Sequence, residues 1–242
     1  MRTFLTGEWR DLAMLNYAVD PAMLQPFVPR GTELDTFDGR AFVSLVGFRF
    51  VNTRVLGVPV PGHRTFEEVN LRIYVRRETH HEVRRAVTFI RELVPRPMIA
   101  TVARLTYNEP YRSAPMRHVL TGGGADVSSR SAEYAWRLGP DWAGLHVDAD
   151  GAGGEPAERS EAEFITEHYW GYTRQRDGST VEYRVEHPRW RVWSATASRV
   201  FGDLAPAYGD DFARVLAQPA TSAFIADGSA VSVGWPNRLG TD

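Results

Sequence analysis

The chain has neither cysteine nor lysine among its 242 residues. Without cysteine there is no disulfide, no thiolate nucleophile, no iron–sulfur ligation and no zinc site of the Cys-containing types. Without lysine, no side chain can form an imine with a carbonyl substrate or with pyridoxal phosphate, and a P-loop is excluded because its motif needs lysine before Ser/Thr. All 28 basic side chains are therefore arginine, against 30 Asp and Glu, which leaves a net charge of -2. The arginines alternate with acids rather than forming a block, so neither nucleic acid nor an anionic membrane is expected as a partner. Long apolar runs are also missing. The uncharged, mainly apolar stretches, such as Ala41 to Phe48, fall below the ~18 residues of a membrane span. Glu8 interrupts the N-terminal segment before an apolar core can develop, so a cytoplasmic location is expected.

What is present is ordinary for a folded protein: 43% hydrophobic and 24% charged residues, enough length to bury a sizeable core. No repeat, low-complexity linker or G-x-G-x-x-G motif divides the chain, so residues 1–242 are expected to form a single domain. Asp20-Pro21 opens a short helix carrying Met23, Leu24 and Phe27. Asp38-Gly39 joins strand-like runs from Thr32 to Phe37 and from Arg40 to Phe50, and the stretch from Thr53 to Arg64 reads as a loop. Glu68 to Arg76 alternates, with Val69, Leu71, Ile73 and Val75 on one face and Glu68, Asn70, Arg72 and Tyr74 on the other. A second strand runs from Val83 to Leu93, and Ile99, Val102, Ala103, Thr106 and Tyr107 recur at helical spacing. Gly122-Gly123-Gly124 and Gly151 to Gly154 flank a hairpin expected within Ala132 to Val147. Capping-box spacing at Ser160 to Glu163 opens a helix expected to carry Phe164, Ile165, His168, Tyr169 and Tyr172. Strands are expected at Thr180 to Glu186, Arg189 to Ala195 and Ser229 to Val233, after an extended segment from Pro219 to Ala226. Hairpin-like succession with few helices excludes a doubly wound parallel sheet and predicts a mainly β, largely antiparallel, barrel-like fold.

His80-His81-Glu82 has the residue types of a metal site. Adjacent histidines on extended backbone point to opposite faces, however, and no third ligand follows at a definite spacing, so an exposed turn is preferred and no metal or other cofactor is expected. No G-x-S-x-G elbow supports a serine nucleophile. Phe164, His168 and Tyr172 would share one helical face, read as core packing in preference to a ligand lining. For the polar face of Glu68, Asn70, Arg72 and Tyr74, alternation alone leaves two readings open: the wall of a lumen, or a solvated face with cross-strand ion pairs.

Four stretches, Phe4 to Arg10, Phe66 to Arg72, Tyr107 to Tyr111 and Glu167 to Tyr172, resemble the YqjF-like family of uncharacterised bacterial proteins (domain of unknown function 2071). That family is in turn similar to acetoacetate decarboxylase. The resemblance implies one cone-like, mainly antiparallel β barrel around a pocket, edged by short helices. By the same resemblance, Arg10 stands at the carboxylate-holding arginine and Glu68 at the general acid/base. Tyr111 stands at the Schiff-base lysine, Arg112 at its cationic neighbour and Ser44 near a second pocket glutamate. Asn70 and Arg72 join them as substrate-binding candidates. Because tyrosine forms no iminium, the implied activity is acid/base chemistry on a small carboxylate or oxo compound: a lysine-independent lyase, isomerase or hydratase rather than a Schiff-base decarboxylase. The alternative is a non-catalytic ligand-binding or sensor protein. Assembly into a homo-oligomer is left open.

Overall fold

The computed structural model describes residues 2–122 and 128–239. Within these, strands β1 (Thr3–Val19), β2 (Glu33–Leu34), β3 (Ala41–Val55), β4 (Val58–Pro59), β5 (Phe66–Glu78) and β6 (Val83–Val94) build the first half. They are followed by β7 (Tyr111–Ser113), β8 (Met116–Thr121), β9 (Ser129–Trp136), β10 (Ala143–Asp150) and β11 (Trp170–Arg174). The last four strands are β12 (Thr180–Glu186), β13 (Val192–Phe201), β14 (Ser222–Gly234) and β15 (Asn237–Arg238). Helices α1 (Pro21–Leu24), α2 (Pro97–Thr106), α3 (Glu161–Thr166) and α4 (Ala205–Leu216) punctuate them. None is long and apolar enough to cross a membrane.

Antiparallel pairing runs through β6, β5, β3, β1 and β14. β11 lies parallel to β6 and antiparallel to β12, and β12 pairs with β14 at Val185 and Val233. The hydrogen-bonded path thus curves back on itself as a cone-like sheet. From β14 it also extends through β13, β10, β9 and β8 as a second layer.

Local chemistry explains several of these elements. Asp20 caps α1 by accepting from the Ala22 amide at 2.8 Å, with Pro21 in the first turn. Asp38 and Gly39 both take positive φ, 49° and 74°, the conformation of a two-residue hairpin turn, although pairing before it is limited to the Phe37–Arg40 bridge and β2. His80 to Glu82 forms a turn closed by Thr79, whose amide reaches the Glu82 carbonyl at 3.0 Å. Gly123 and Gly124 lie outside the described residues.

The largest departure from expectation is at 161–172. Ser160 caps α3 as the spacing predicts, accepting from the Glu163 amide at 3.1 Å, but the helix stops at Thr166. Trp170 to Arg174, aromatic and β-branched, form a strand instead, so Phe164, His168 and Tyr172 share no helical face. β3 runs on to Val55 and β4 occupies part of the expected loop. The segments expected from Pro219 and from Ser229 are one strand, β14, and β13 begins only at Val192.

β5 decides between the two readings of its alternation. Val69, Leu71, Ile73 and Val75 pack into an apolar core with Tyr134, Trp136 and Leu145 of the second layer and Phe212 and Leu216 of α4. Glu68, Asn70, Arg72 and Tyr74 are buried as well. The sheet is covered on both sides, and the polar face is an interior one.

Candidate active site

A cavity of about 190 Å³ occupies the concave side of the sheet. Its walls are largely apolar: Leu12, Val46, Phe48, Phe50, Phe66 and Trp190 are among them. Met98 and Val102 of α2 line it while remaining exposed, which marks its mouth. Set into these walls are Glu68, Asn70, Arg72, Glu92, Glu109 and Tyr111.

Each polar group is placed by a simple device. Glu68, Asn70 and Arg72 alternate along β5 and so face the same way. β6 brings Glu92 opposite Asn70, and the parallel pairing of β7 sets Tyr111 beside Glu92. α2 ends at Thr106, and beyond its last turn Asn108 takes a left-handed φ of 59° while its amide bonds the Arg104 carbonyl at 3.1 Å. Asparagine tolerates that conformation, and the turn delivers Glu109 and Tyr111 to the cavity wall.

The Tyr111 hydroxyl donates to Glu68 Oε2 at 3.0 Å, and Asn70 Nδ2 donates to Glu68 Oε1 at 3.3 Å. Glu109 Oε1 accepts from Tyr183 at 2.7 Å and from the Thr173 hydroxyl. Glu92 Oε2, Glu109 Oε2 and Asn70 Oδ1 are buried without a hydrogen-bond partner. Burial pushes Glu68 up to about 7, against the opposing hydrogen bonds from Tyr111 and Asn70. Burial likewise lifts Glu109 to about 7, and burial with the nearby charges of Glu109 and Glu68 raises Glu92 well above the carboxylate range. Burial and the surrounding carboxylates raise the Tyr111 phenol too, so it stays protonated at neutral pH.

Arg72 is the one arginine among the described cavity-lining residues. Its guanidinium donates to the Ile165 carbonyl at 3.1 Å and to the Tyr74 hydroxyl at 3.4 Å. No Asp or Glu among the described residues forms an ion pair with it. His168 also lines the cavity, and burial pushes it down to about 4, so it is neutral.

Of the seven residues expected at the site, Glu68, Asn70, Arg72 and Tyr111 meet at the cavity and three do not. Arg10 follows Trp9 in β1; Trp9 faces the cavity, so Arg10 turns outward, where it pairs with Glu8 at 2.6 Å. By the same alternation Arg112, next to Tyr111, points away and donates to the Pro206 carbonyl at 2.9 Å. Ser44 is buried in a polar knot, donating to Asn16 Oδ1 at 2.6 Å and lying 2.7 Å from the Tyr74 hydroxyl. Glu92, Glu109 and Tyr183 were missed. Alternation of Val181, Tyr183 and Val185 was a usable signal for Tyr183; nothing local distinguishes Glu92.

Comparison with known proteins agrees with this architecture. The chain is 28% identical over 204 residues to the uncharacterized protein YqjF of Bacillus subtilis (strain 168), covering 83% of this chain and 80% of that protein. An acetoacetate decarboxylase from Legionella pneumophila has a similar fold, with a TM-score of 0.67 over 99% of this chain and 88% of that one at 12% identity. So has the enduracididine biosynthesis enzyme MppR complexed with pyruvate, with a TM-score of 0.67 over 99% and 91% of the two chains at 13% identity. Residues 6–230 match DUF2071, described as an uncharacterized conserved protein. The chain therefore belongs to the DUF2071 family, built on an acetoacetate decarboxylase-like fold.

Proposed function

We propose that the cavity binds a small carboxylate or oxo compound and moves a proton on it, without a covalent imine. The observation that carries this reading is the Tyr111 to Glu68 hydrogen bond, set in the same cavity as a buried Arg72 that no described carboxylate neutralises. Arg72 supplies a charge-assisted partner for the ligand's carboxylate. With its carboxyl near 7, Glu68 exists in both protonation states at neutral pH, the condition for accepting a proton from carbon and returning it. The Tyr111 hydroxyl orients Glu68 and donates toward oxygen charge that develops on an enolate. No lysine side chain exists to form an imine.

The test is deuterium exchange at the carbons next to the carbonyl of pyruvate, 2-oxobutanoate and acetoacetate in D2O, followed by proton NMR, with binding measured in parallel by calorimetry. Protein-dependent exchange that Glu68→Gln abolishes supports the reading. Binding without exchange replaces it with the non-catalytic ligand-binding alternative, and absence of both overturns it.

A further inference from the structure

We propose that the ligand of this cavity is a zwitterion, whose protonated amine is held among Glu92, Glu109 and Asn70 while its carboxylate meets Arg72. The anionic half rests on the reading given above; the cationic half stands on separate observations. The hydroxyls of Tyr111, Tyr183 and Thr173 and the Asn70 amide are all spent on Glu68 and Glu109. What is left over is acceptors: Glu92 Oε2, Glu109 Oε2 and Asn70 Oδ1.

The Asn70 oxygen is the independent sign, because it belongs to a neutral side chain, 3% exposed, on the cavity wall. An amide oxygen can only accept hydrogen bonds, and none of the described residues donates to this one. Buried acceptors of this kind are ordinarily paired. A primary ammonium brings three donors and a positive charge, which matches three orphan acceptors on two acids and an amide. A carboxylate or carbonyl ligand brings none.

Two further features narrow the ligand. Among the described residues, no group of three His, Asp or Glu side chains is set to hold a metal ion, so the acceptors suit an organic cation spread along the wall better than a single ion. Arg72 lies two residues from Asn70 on β5, about 7 Å between Cα atoms at ~3.3 Å per residue, and its guanidinium is bonded to the Tyr74 hydroxyl and the Ile165 carbonyl, on the side away from Asn70 in sequence. That separation suits a ligand whose two charged ends are a few carbons apart, and much of the surrounding wall is apolar. A cavity of about 190 Å³ exceeds the ~150 Å³ that accommodates benzene, in keeping with a ligand of roughly six to ten heavy atoms.

The experiment compares three probes on the unmodified protein by calorimetry: 6-aminohexanoate, hexanoate and hexylamine. The expected result is that 6-aminohexanoate binds at least tenfold tighter than either single-ended probe. Glu92→Gln, checked for folding by thermal melt, is expected to weaken 6-aminohexanoate more than tenfold and hexanoate far less. Hexanoate binding as tightly as 6-aminohexanoate overturns the inference while leaving the acid/base reading intact. Hexylamine equalling 6-aminohexanoate overturns the inference too, because it removes Arg72 as an anchor, and it also counts against the reading above. No binding by any of the three overturns the inference, and the oxo-acid titration then decides the other reading separately.

Discussion

Tyr111 donates its phenolic hydrogen to Glu68 at 3.0 Å although 43 residues separate them in the chain. The contact is made by strand pairing: β5 to β6 and β6 to β7 carry the two residues to one wall. It opposes the effect of burial on Glu68, since a hydrogen bond to the ionised form favours it.

Tyr111→Phe removes that bond and should move the Glu68 titration above its present value of about 7. Carbon-13 NMR of labelled glutamate measures this, with Glu68→Gln assigning the signal. Stability should fall by about 1 kcal/mol, the ordinary worth of one hydrogen bond. If the protein turns over an oxo acid, the rate should drop about 100-fold. An unmoved Glu68 titration would show that the phenol does not control it.

The buried acids give the pH dependence of stability a definite sign. Glu68 and Glu109 are raised from 4.5 to about 7, and Glu92 is raised further from its ordinary value. Between these limits the folded protein holds more protons than the unfolded chain. Their contribution is therefore complete below about 4.5 and is lost as the pH rises through the folded values. His168, lowered from 6.5 to about 4, acts in the opposite sense below pH 6.5. The difference between variants separates the two: Glu92→Gln should raise the melting temperature over wild type more at pH 8 than at pH 5. Equal differences at the two pH values would count against a protonated Glu92.

Arg72→Met should weaken hexanoate or pyruvate binding about tenfold or more, because it deletes the arginine at the cavity. Arg10→Ala should leave it within twofold, since Arg10 pairs with Glu8 outside. A larger loss from Arg10→Ala would restore Arg10 to the site.

Gly171→Ala places a methyl group 2.2 to 2.4 Å from Cζ, Cε2 and Oη of Tyr183. The ring is buried and must move, taking its hydroxyl from Glu109. A loss of about 1–3 kcal/mol is expected from overpacking. Glu109 should also titrate higher, because the Tyr183 bond lowers it. Chemical denaturation and the same NMR titration check the two effects.

The strand content and the alternation of β5 were legible because period-two patterning survives in a sequence whatever packs on either side. Which face met the cavity was not. The pattern of Val69, Leu71 and Ile73 against Asn70 and Arg72 is the same for a lumen wall as for a solvated face, and only α4 and the second layer covering the apolar side decide it. Neither β1 nor α4 was anticipated. In β1, Asp11 takes a positive φ of 58° between the paired segments, so its alternation breaks in the middle. Arg10 and Arg112 were misplaced for one reason: family position identifies a neighbourhood, whereas the side of a strand on which a residue falls depends on a register shift of a single residue. The helix over-read at 161–172 failed because the aromatic residues from Trp170 onward suit a strand as well as a helix face.

The pairing of β1 with β14, which matches Arg10 with Gly228, bears on how the molecule comes into being. Phe4, Leu5 and Trp9 form part of the cavity lining, and so does Val233. These walls are assembled from strands more than 200 residues apart, so the cavity cannot be complete until β14 has been made. Contacts this distant are slow to form. Until β14 docks, one edge of β1 stands open to pairing with another chain. A nascent chain stalled before β14 would accordingly have strands enough for a sheet but an unfinished cavity.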